Sequence, residues 1–151
     1  MGPTGSDAFA PSVGANYISD SSSIPPGGSI AFDTPEVLVG GAFTINSLTG
    51  LIEFFIEGTY EITYGLSVTC GLGSEEIAGY FDGVFHEAAS YSISPVPVAL
   101  VGDVKMFTVS FMINATIGDG FILQNDGPDP LLVTQGPAGD IAGYITVKRV
   151  A

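Results

Sequence analysis

The residues best suited to chemistry in this chain are the oxygen donors of a short, proline-rich turn. The segment Asn125-Asp126-Gly127-Pro128-Asp129-Pro130 combines the carboxylates of Asp126 and Asp129 with an amide and backbone carbonyls, which are ligands that calcium prefers. It lacks the spacing and the terminal glutamate of an EF-hand, so a turn without metal is the favoured interpretation. The sequence therefore predicts no cofactor, with a weak calcium candidate at Asp126 and Asp129.

Catalytic side chains are too few for the common mechanisms of nucleophilic catalysis. The chain has a single cysteine, Cys70, and a single histidine, His86, whereas such catalysis needs a Ser or Cys beside a His that a carboxylate orients. Glu87 follows His86 directly, but adjacent strand residues face opposite sides of a sheet. Zinc sites need several Cys or His residues at short spacing. The sequence predicts that the protein is not an enzyme.

The charge balance limits the classes of partner. The chain has 16 acidic residues and only three basic ones, and its formal net charge is −13 at pH 7. Such an excess repels the phosphates of nucleic acids and of anionic lipids. No apolar stretch reaches the roughly 18 residues that a membrane-spanning helix requires. We therefore expect neither nucleic acid nor membrane as a partner.

Alternating residues indicate the elements that must position these groups. Every second residue from Tyr60 to Leu72 is apolar and the residues between are small or polar, which is typical of a strand with one buried face. Short apolar runs between Gly, Pro, Asn and Asp recur along the chain, one of them from Ile77 to His86. Such a series predicts an all-β sandwich or barrel. We expect these core residues: Tyr60, Ile62, Tyr64, Leu66, Phe107, Val109, Phe111 and Ile145.

A second exposed face is only half polar. In the segment 104–117, Met106, Thr108 and Met112 lie opposite the expected core residues, and Tyr144 and Thr146 do so in the segment 141–150. Charged residues make up 13% of the chain, against about 25% in a typical soluble domain. Part of the surface is therefore expected to be covered by another copy, through these five residues. A weakly charged monomer, with the methionines packed under a loop, is the alternative.

The amino-terminal segment has a different composition. Residues 1–29 are rich in Gly, Pro, Ser and Asp without sustained periodicity and are predicted to be an extended lead-in. Within Gly2-Pro3-Thr4-Gly5-Ser6, Gly2 and Gly5 with Pro3 match the collagen pattern, because only glycine fits at the axis of a triple helix. The predicted organisation is a collagen stub and lead-in over 1–29, followed by one β-domain over 30–151.

These features together resemble a known group of trimeric domains. The collagen stub, the strand series, Gly58-x-Tyr60-x-Ile62-x-Tyr64, Gly118–Leu123 and Gly143–Val147 are similar to the complement and tumour-necrosis-factor-like jelly rolls. More narrowly, the chain resembles the carboxyl-terminal globular domain of the bacterial collagen-like glycoproteins of the spore exosporium. It departs from that pattern in having no tryptophan, and no calcium site of the family is matched.

The resemblance implies a jelly-roll sandwich of about ten antiparallel strands that assembles as a homotrimer. Its function would be structural: to trimerise and cap a collagen-like surface filament, outside the cell or on a spore, and to display it for adhesion. Thr4 occupies the place where the family's triplets carry sugar. The alternative is a tip module that binds a receptor or a carbohydrate, including the tip of a phage tail fibre. Other spore-coat proteins or a host surface receptor are then the expected partners besides a second copy.

Overall fold

The computed structural model describes residues 11–69, 74–93, 102–136 and 140–151. Within these residues the chain forms strands and turns, without any helix. The collagen stub at Gly2, Pro3 and Gly5 lies outside the described residues, as do Cys70 and the apolar run 98–101.

Antiparallel β-strands predominate in the described part of the chain. They are β1 (Val13–Ile18), β2 (Ser22–Ile24), β3 (Thr34–Val39), β4 (Phe43–Ile45), β5 (Ile52–Phe54), β6 (Gly58–Thr69), β7 (Glu75–Phe81), β8 (Val84–Ile93), β9 (Val104–Ala115), β10 (Gly120–Asn125), β11 (Leu131–Val133) and β12 (Gly143–Arg149).

The strands form two sheets, of seven and five strands. The order of the five-stranded sheet is β4-β5-β10-β7-β8. In the seven-stranded sheet the order is β2-β11-β6-β12-β1-β3, with β9 paired to β6. The prediction of an all-β, antiparallel jelly-roll sandwich is confirmed.

Strand β6 lies between β9 and β12 and organises the larger sheet. It pairs with β9 over its full length, from Gly58 opposite Ala115 to Thr69 opposite Val104. Its alternate residues from Tyr60 to Val68 are buried in the core between the sheets. The side-chain period of a strand is two, so this burial directs the remaining residues of β6 to the outer face.

The two core tyrosines of β6 are buried with their hydroxyl groups satisfied. The Tyr60 hydroxyl donates to the carbonyl of Ile56 at 2.6 Å, and the Tyr64 hydroxyl donates to the carbonyl of Ala89 at 2.6 Å. Burial raises the pKa of the Tyr64 side chain above its ordinary value, because the ionised form would lose its hydration. These bonds connect the larger sheet to the loop preceding it and to β8.

The expected core residues differ in their depth of burial. Ile62, Leu66, Phe111 and Ile145 are buried, like the two tyrosines of β6. Phe107 and Val109, on β9, are half-buried and pack against the core. The ring of Phe107 stacks on Tyr91, with centroids 4.1 Å apart.

The run from Ile77 to His86 is not one strand, as the sequence predicted, but parts of two. A turn at Asp82 and Gly83 separates β7 from β8, with φ angles of 50° and 79°. Positive φ at two successive residues is the geometry of a tight hairpin turn, for which Asp-Gly is a preferred pair. The flanking apolar residues concealed this turn, since both strands contribute apolar side chains.

The segment expected to be an extended lead-in contributes two strands to the sandwich. β1 pairs with both β12 and β3, and β2 pairs with β11. The larger sheet thus includes residues on the amino-terminal side of residue 30. β1 was missed because two of its three inward residues are small or polar: Gly14 faces the ring of Phe43, and Asn16 donates to the carbonyl of Phe32 at 3.0 Å, while only Ile18 is a large apolar residue.

Candidate assembly surface

The outer face of three neighbouring strands brings the predicted interface residues together. Met106 lies opposite Ser67, Thr108 opposite Gly65, and Tyr144 opposite Gly65 on its other side. Met112 and Thr146 belong to the same side of the sheet, so all five predicted residues share one surface. We call it the β9-β6-β12 face, formed by Val104, Met106, Thr108, Ser110, Met112, Asn114, Thr59, Glu61, Thr63, Gly65, Ser67, Thr69, Tyr144, Thr146 and Lys148.

Large apolar side chains on this face are open to solvent. Met106 is 79% exposed and Met112 is 59% exposed. Both side chains point away from the core, and no loop of the described residues covers them. The alternative that the methionines pack under a loop therefore finds no support in the described residues. Exposed methionines on a flat sheet are typical of a surface that contacts another protein.

The face is electrically neutral although the protein is strongly acidic. Its charged residues are one acid and one base, Glu61 and Lys148, which are opposite each other in the pairing of β6 and β12. The chain as a whole has a formal charge of −13. A second copy can therefore approach this face without placing like charges against each other.

Several hydroxyl groups of the face are hydrogen-bonded to side chains on the neighbouring strand. Thr59 Oγ1 donates to the Asn114 side chain at 2.7 Å, and the hydroxyls of Thr63 and Ser110 are 2.9 Å apart. A polar group that is already hydrogen-bonded loses less free energy when water is removed than an unpaired one. Removing water from these paired groups therefore costs less free energy than removing it from unpaired ones.

Tyr144 lies flat across the sheet because its neighbour on β6 is glycine. A Cβ atom at Gly65 would overlap the ring of Tyr144. The ring can therefore lie over the backbone of β6 only because Gly65 has no side chain. The Tyr144 hydroxyl is 3.4 Å from Thr108 Oγ1 on the far side of β6. Covering a glycine with an aromatic ring from the next strand stabilises the sheet at that point.

A shallow groove lies on this face beside Tyr144, between β9 and the segment before β12. Its volume is about 760 Å³. Gly65 and Ser67 form its floor, and Met106 forms one wall. The other walls are Thr108, Tyr144 and the segment 140–143. The groove is mainly apolar, and Ile141 on its rim is 47% exposed.

One of the two candidate calcium ligands, the Asp126 carboxylate, is engaged in hydrogen bonds within the chain. The Asp126 carboxylate accepts hydrogen bonds from the Tyr80 hydroxyl and from Gln124 Nε2, the latter at 2.8 Å. The hydrogen bond to Asp126 raises the pKa of the Tyr80 hydroxyl above its ordinary value. Asp129 accepts from Asn125 Nδ2 at 2.9 Å through its backbone carbonyl. Among the described residues, no three His, Cys, Asp or Glu side chains form a group that could hold a metal ion.

His86 lies on β8 beside an aromatic ring instead of a carboxylate. Its ring centroid is 5.6 Å from that of Phe111, and Glu87 is exposed. The geometry is that of a side chain packed at the edge of the core.

Two residues of the face were not singled out from the sequence, Gly65 and Ser67. Their importance depends on what lies opposite them, which is Tyr144 and Thr108 for Gly65 and Met106 for Ser67. Both are small residues at outward-facing positions of β6. That feature could have identified them if the strand pairing had been known.

The described residues contain no helix long and apolar enough to cross a membrane.

Comparison with known proteins identifies the fold but not a close relative. No protein-family model and no curated protein matches the sequence. Among solved structures, the chain is similar to the Eiger TNF of S. frugiperda, with a TM-score of 0.69, 11% identity and coverage of 95% of this chain and 93% of that one. It is also similar to murine APRIL at pH 8.5, with a TM-score of 0.67, 10% identity and coverage of 93% and 100%.

A complement domain shares the same architecture. The globular domain of zebrafish complement 1qA matches with a TM-score of 0.61 and 10% identity, over 91% of this chain and 94% of that one. At such low identity the likeness concerns the fold alone. The chain therefore has the jelly-roll fold of tumour-necrosis-factor-like and complement globular domains.

Proposed function

We propose that this domain is a non-catalytic structural module that assembles as a homotrimer and caps a collagen-like filament. The filament stands on a cell or spore surface, in the manner of an exosporium glycoprotein, and the domain displays it for adhesion. The three copies contact one another through the β9-β6-β12 face.

The observation that carries this proposal is the neutrality of that face within an acidic protein. Exposed Met106 and Met112 provide apolar area, and the cross-strand hydrogen bonds lower the cost of dehydrating the polar groups that they pair. The acidic residues lie predominantly elsewhere, so they remain in solvent when the faces meet. Buried apolar area is the main driving force of such an association.

A threefold arrangement suits this surface and the implied collagen stem. In a rotational trimer each copy presents one surface patch to the next copy and a different patch to the previous one. Three chains held in this way bring three stems into register, which removes much of the association cost of a triple helix. The start of β1 and the final residue lie at the same end of the sheet, since Val13 is opposite Lys148 and Thr59 N–H donates to the Ala151 carbonyl. A stem before β1 would leave from that end.

The mass of the purified domain in solution tests the assembly. Light scattering after size exclusion is expected to give three times the chain mass of 15.5 kDa at micromolar concentration. A mass of one chain at that concentration would refute the proposal.

The stem is tested separately, by fusing a run of collagen-like triplets before residue 1. The fused domain is expected to give the circular dichroism signature of a triple helix with cooperative melting, at a concentration where the triplets alone give none. A fused trimer without that signature would refute the collagen-capping role while leaving the assembly intact.

A further inference from the structure

A row of apolar side chains crosses the outer face of the five-stranded sheet. Tyr80 on β7 is directly opposite Ile122 on β10 and Phe85 on β8. The residues on either side of Ile122 along β10, Phe121 and Leu123, are buried in the core, so the row points away from the core. Phe85 is 49% exposed, and its ring centroid is 6.1 Å from that of Tyr80. Exposed aromatic rings with apolar neighbours are typical of a surface that contacts another protein.

Carboxylates border this row on two sides. The Asp126 carboxylate is held at the hydroxyl end of Tyr80, because it accepts hydrogen bonds from that hydroxyl and from Gln124 Nε2. Glu76 lies on the same outer face of β7, four positions before Tyr80. Glu53 is exposed on β5, the strand that pairs with the other side of β10. The row is thus an apolar surface with negative charge at its margin.

No lysine or arginine lies on this face. The three such residues of the chain, Lys105, Lys148 and Arg149, belong to β9 and β12 of the other sheet. An apolar row with carboxylates at its border is complementary to a side chain that combines apolar length with positive charge. Arginine fits it best, because its planar guanidinium stacks on aromatic rings and pairs with carboxylates.

We propose that the outer face of the five-stranded sheet binds an arginine-containing segment of another protein. One guanidinium packs on the rings of Phe85 and Tyr80 and pairs with Asp126. Each Asp126 oxygen accepts one bond within the chain, and a carboxylate oxygen can accept two, so the pairing leaves the existing bonds in place. Glu76 and Glu53 meet further positive charges of the same segment.

A polypeptide fits this face better than a metal ion does. From Glu53 to Phe85 the site crosses four neighbouring strands, a width of about 14 Å that a single ion does not cover. Among the described residues, no three His, Cys, Asp or Glu side chains form a group that could hold a metal ion. The site belongs to one chain and lies on the sheet that is not proposed for assembly. The inference therefore goes beyond the proposed function and does not depend on the trimer.

The contribution of the rings is tested with a labelled peptide of three arginines separated by Gly-Ser pairs, by fluorescence anisotropy at about 0.15 M salt. Phe85→Ala is expected to weaken binding about fivefold, because it removes a ring that the guanidinium contacts. Phe55→Ala, at a ring that is 42% exposed in the loop after β5, is the matched control and should leave the affinity unchanged. The same peptide with lysines in place of arginines should bind more weakly.

The contribution of charge is tested with two variants that change the net charge equally. Asp126→Asn should weaken binding about tenfold, whereas Asp20→Asn, at an exposed residue between β1 and β2, should weaken it less than about twofold. Glu53→Gln leaves the bonds of Asp126 in place and should weaken binding about threefold. Circular dichroism of each variant confirms that folded proteins are compared.

Equal losses in Asp126→Asn and Asp20→Asn would mean that the net charge of −13 alone attracts the peptide, and would overturn the site. A wild type that does not bind the peptide, or equal affinities of Phe85→Ala and Phe55→Ala, would also overturn it. The mass of the same samples tests the proposed trimer separately, since none of these residues lies on the β9-β6-β12 face.

Discussion

Three strands of the larger sheet differ in charge from the strands of the smaller sheet. Strands β6, β9 and β12 contain one acidic residue, Glu61, and all three basic residues of the chain, Lys105, Lys148 and Arg149. The strands of the five-stranded sheet contain four acidic residues and no basic one. The acidic residues of the five-stranded sheet are Glu53, Glu75, Glu76 and Glu87.

This difference separates the surface that can meet a copy from the surface that cannot. Contact through the five-stranded sheet would bring together the negative charges of Glu53, Glu76 and Glu87 from each chain, since only Glu75 is buried, and this is unfavourable without counter-charges. Contact through the β9-β6-β12 face covers methionines, a tyrosine and paired hydroxyls. The acidic residues of the five-stranded sheet thus disfavour contact between copies through that sheet, whereas the neutral β9-β6-β12 face allows contact.

The largest expected effect comes from placing a charge on the neutral face. Met112→Glu would bury an unpaired carboxylate in each contact of the trimer, so the dissociation constant is expected to rise by at least about 100-fold. Light scattering at micromolar concentration should then report a monomer. Val84→Glu, at a residue of the five-stranded sheet that is 68% exposed, is the matched control and should leave the mass unchanged. The reverse pattern would place the interface on the other sheet.

A smaller effect is expected from filling the space beneath Tyr144. In Gly65→Ala the added methyl must displace the ring, and overpacking of this kind costs about 1–3 kcal/mol. The loss should appear both in the midpoint of thermal unfolding and in the affinity of assembly, since the displaced ring changes the shape of the face. Gly41→Ala, where an added Cβ has no neighbour within 4 Å, is the control. Equal behaviour of the two variants would mean that the ring does not need glycine.

The charge difference also predicts how salt acts on assembly. Copies with a charge of −13 repel each other at long range, and raising the ionic strength from about 0.01 M to about 0.15 M shortens the Debye length from about 30 Å to about 8 Å. Since the contacting faces are neutral, salt is expected to tighten the trimer several-fold. In the double variant Glu53→Gln, Glu87→Gln the dependence should be weaker. An affinity that falls with salt would indicate an interface held by opposite charges.

The fold could be predicted from sequence where burial follows the alternation of apolar residues. Strand β6 is such a case, because its apolar set faces the core along the whole strand. Strand β1 is the opposite case, because Val13 and Tyr17 point outward while Gly14 and Asn16 face the core. A glycine that accommodates a ring and an asparagine bonded to a distant carbonyl leave no trace in the alternation of apolar residues. The hairpin between β7 and β8 could have been predicted, because Asp82-Gly83 is itself a typical turn pair.

The candidate surface was accessible to sequence reasoning only in part. The methionines and Tyr144 were recognisable as a mixed face opposite an apolar one, since that depends on residues within single strands. The groove and the covered Gly65 arise from the register between β6, β9 and β12. That register follows from the pairing of residues far apart in the chain, which a pattern within one strand does not specify.

The smallest effect concerns two tyrosines on opposite faces of one sheet, Tyr144 on the neutral face and Tyr64 in the core. Burial raises the pKa of Tyr64, so its contribution to stability is complete below the ordinary tyrosine pKa of about 10 and is lost as pH rises toward the raised pKa. The reason is that the unfolded chain ionises first.

Tyr64→Phe removes the bond to the Ala89 carbonyl and should cost about 1 kcal/mol at pH 8. That deficit should shrink above about pH 10, because only the wild type loses the contribution of Tyr64 there. Denaturant unfolding at pH 8 and pH 11, at one protein concentration, measures the difference. Tyr144→Phe, at a half-buried residue on the outer face of the same sheet, is the control for loss of a tyrosine hydroxyl as such. A constant deficit for Tyr64→Phe would mean that Tyr64 ionises as readily in the folded chain as in the unfolded one.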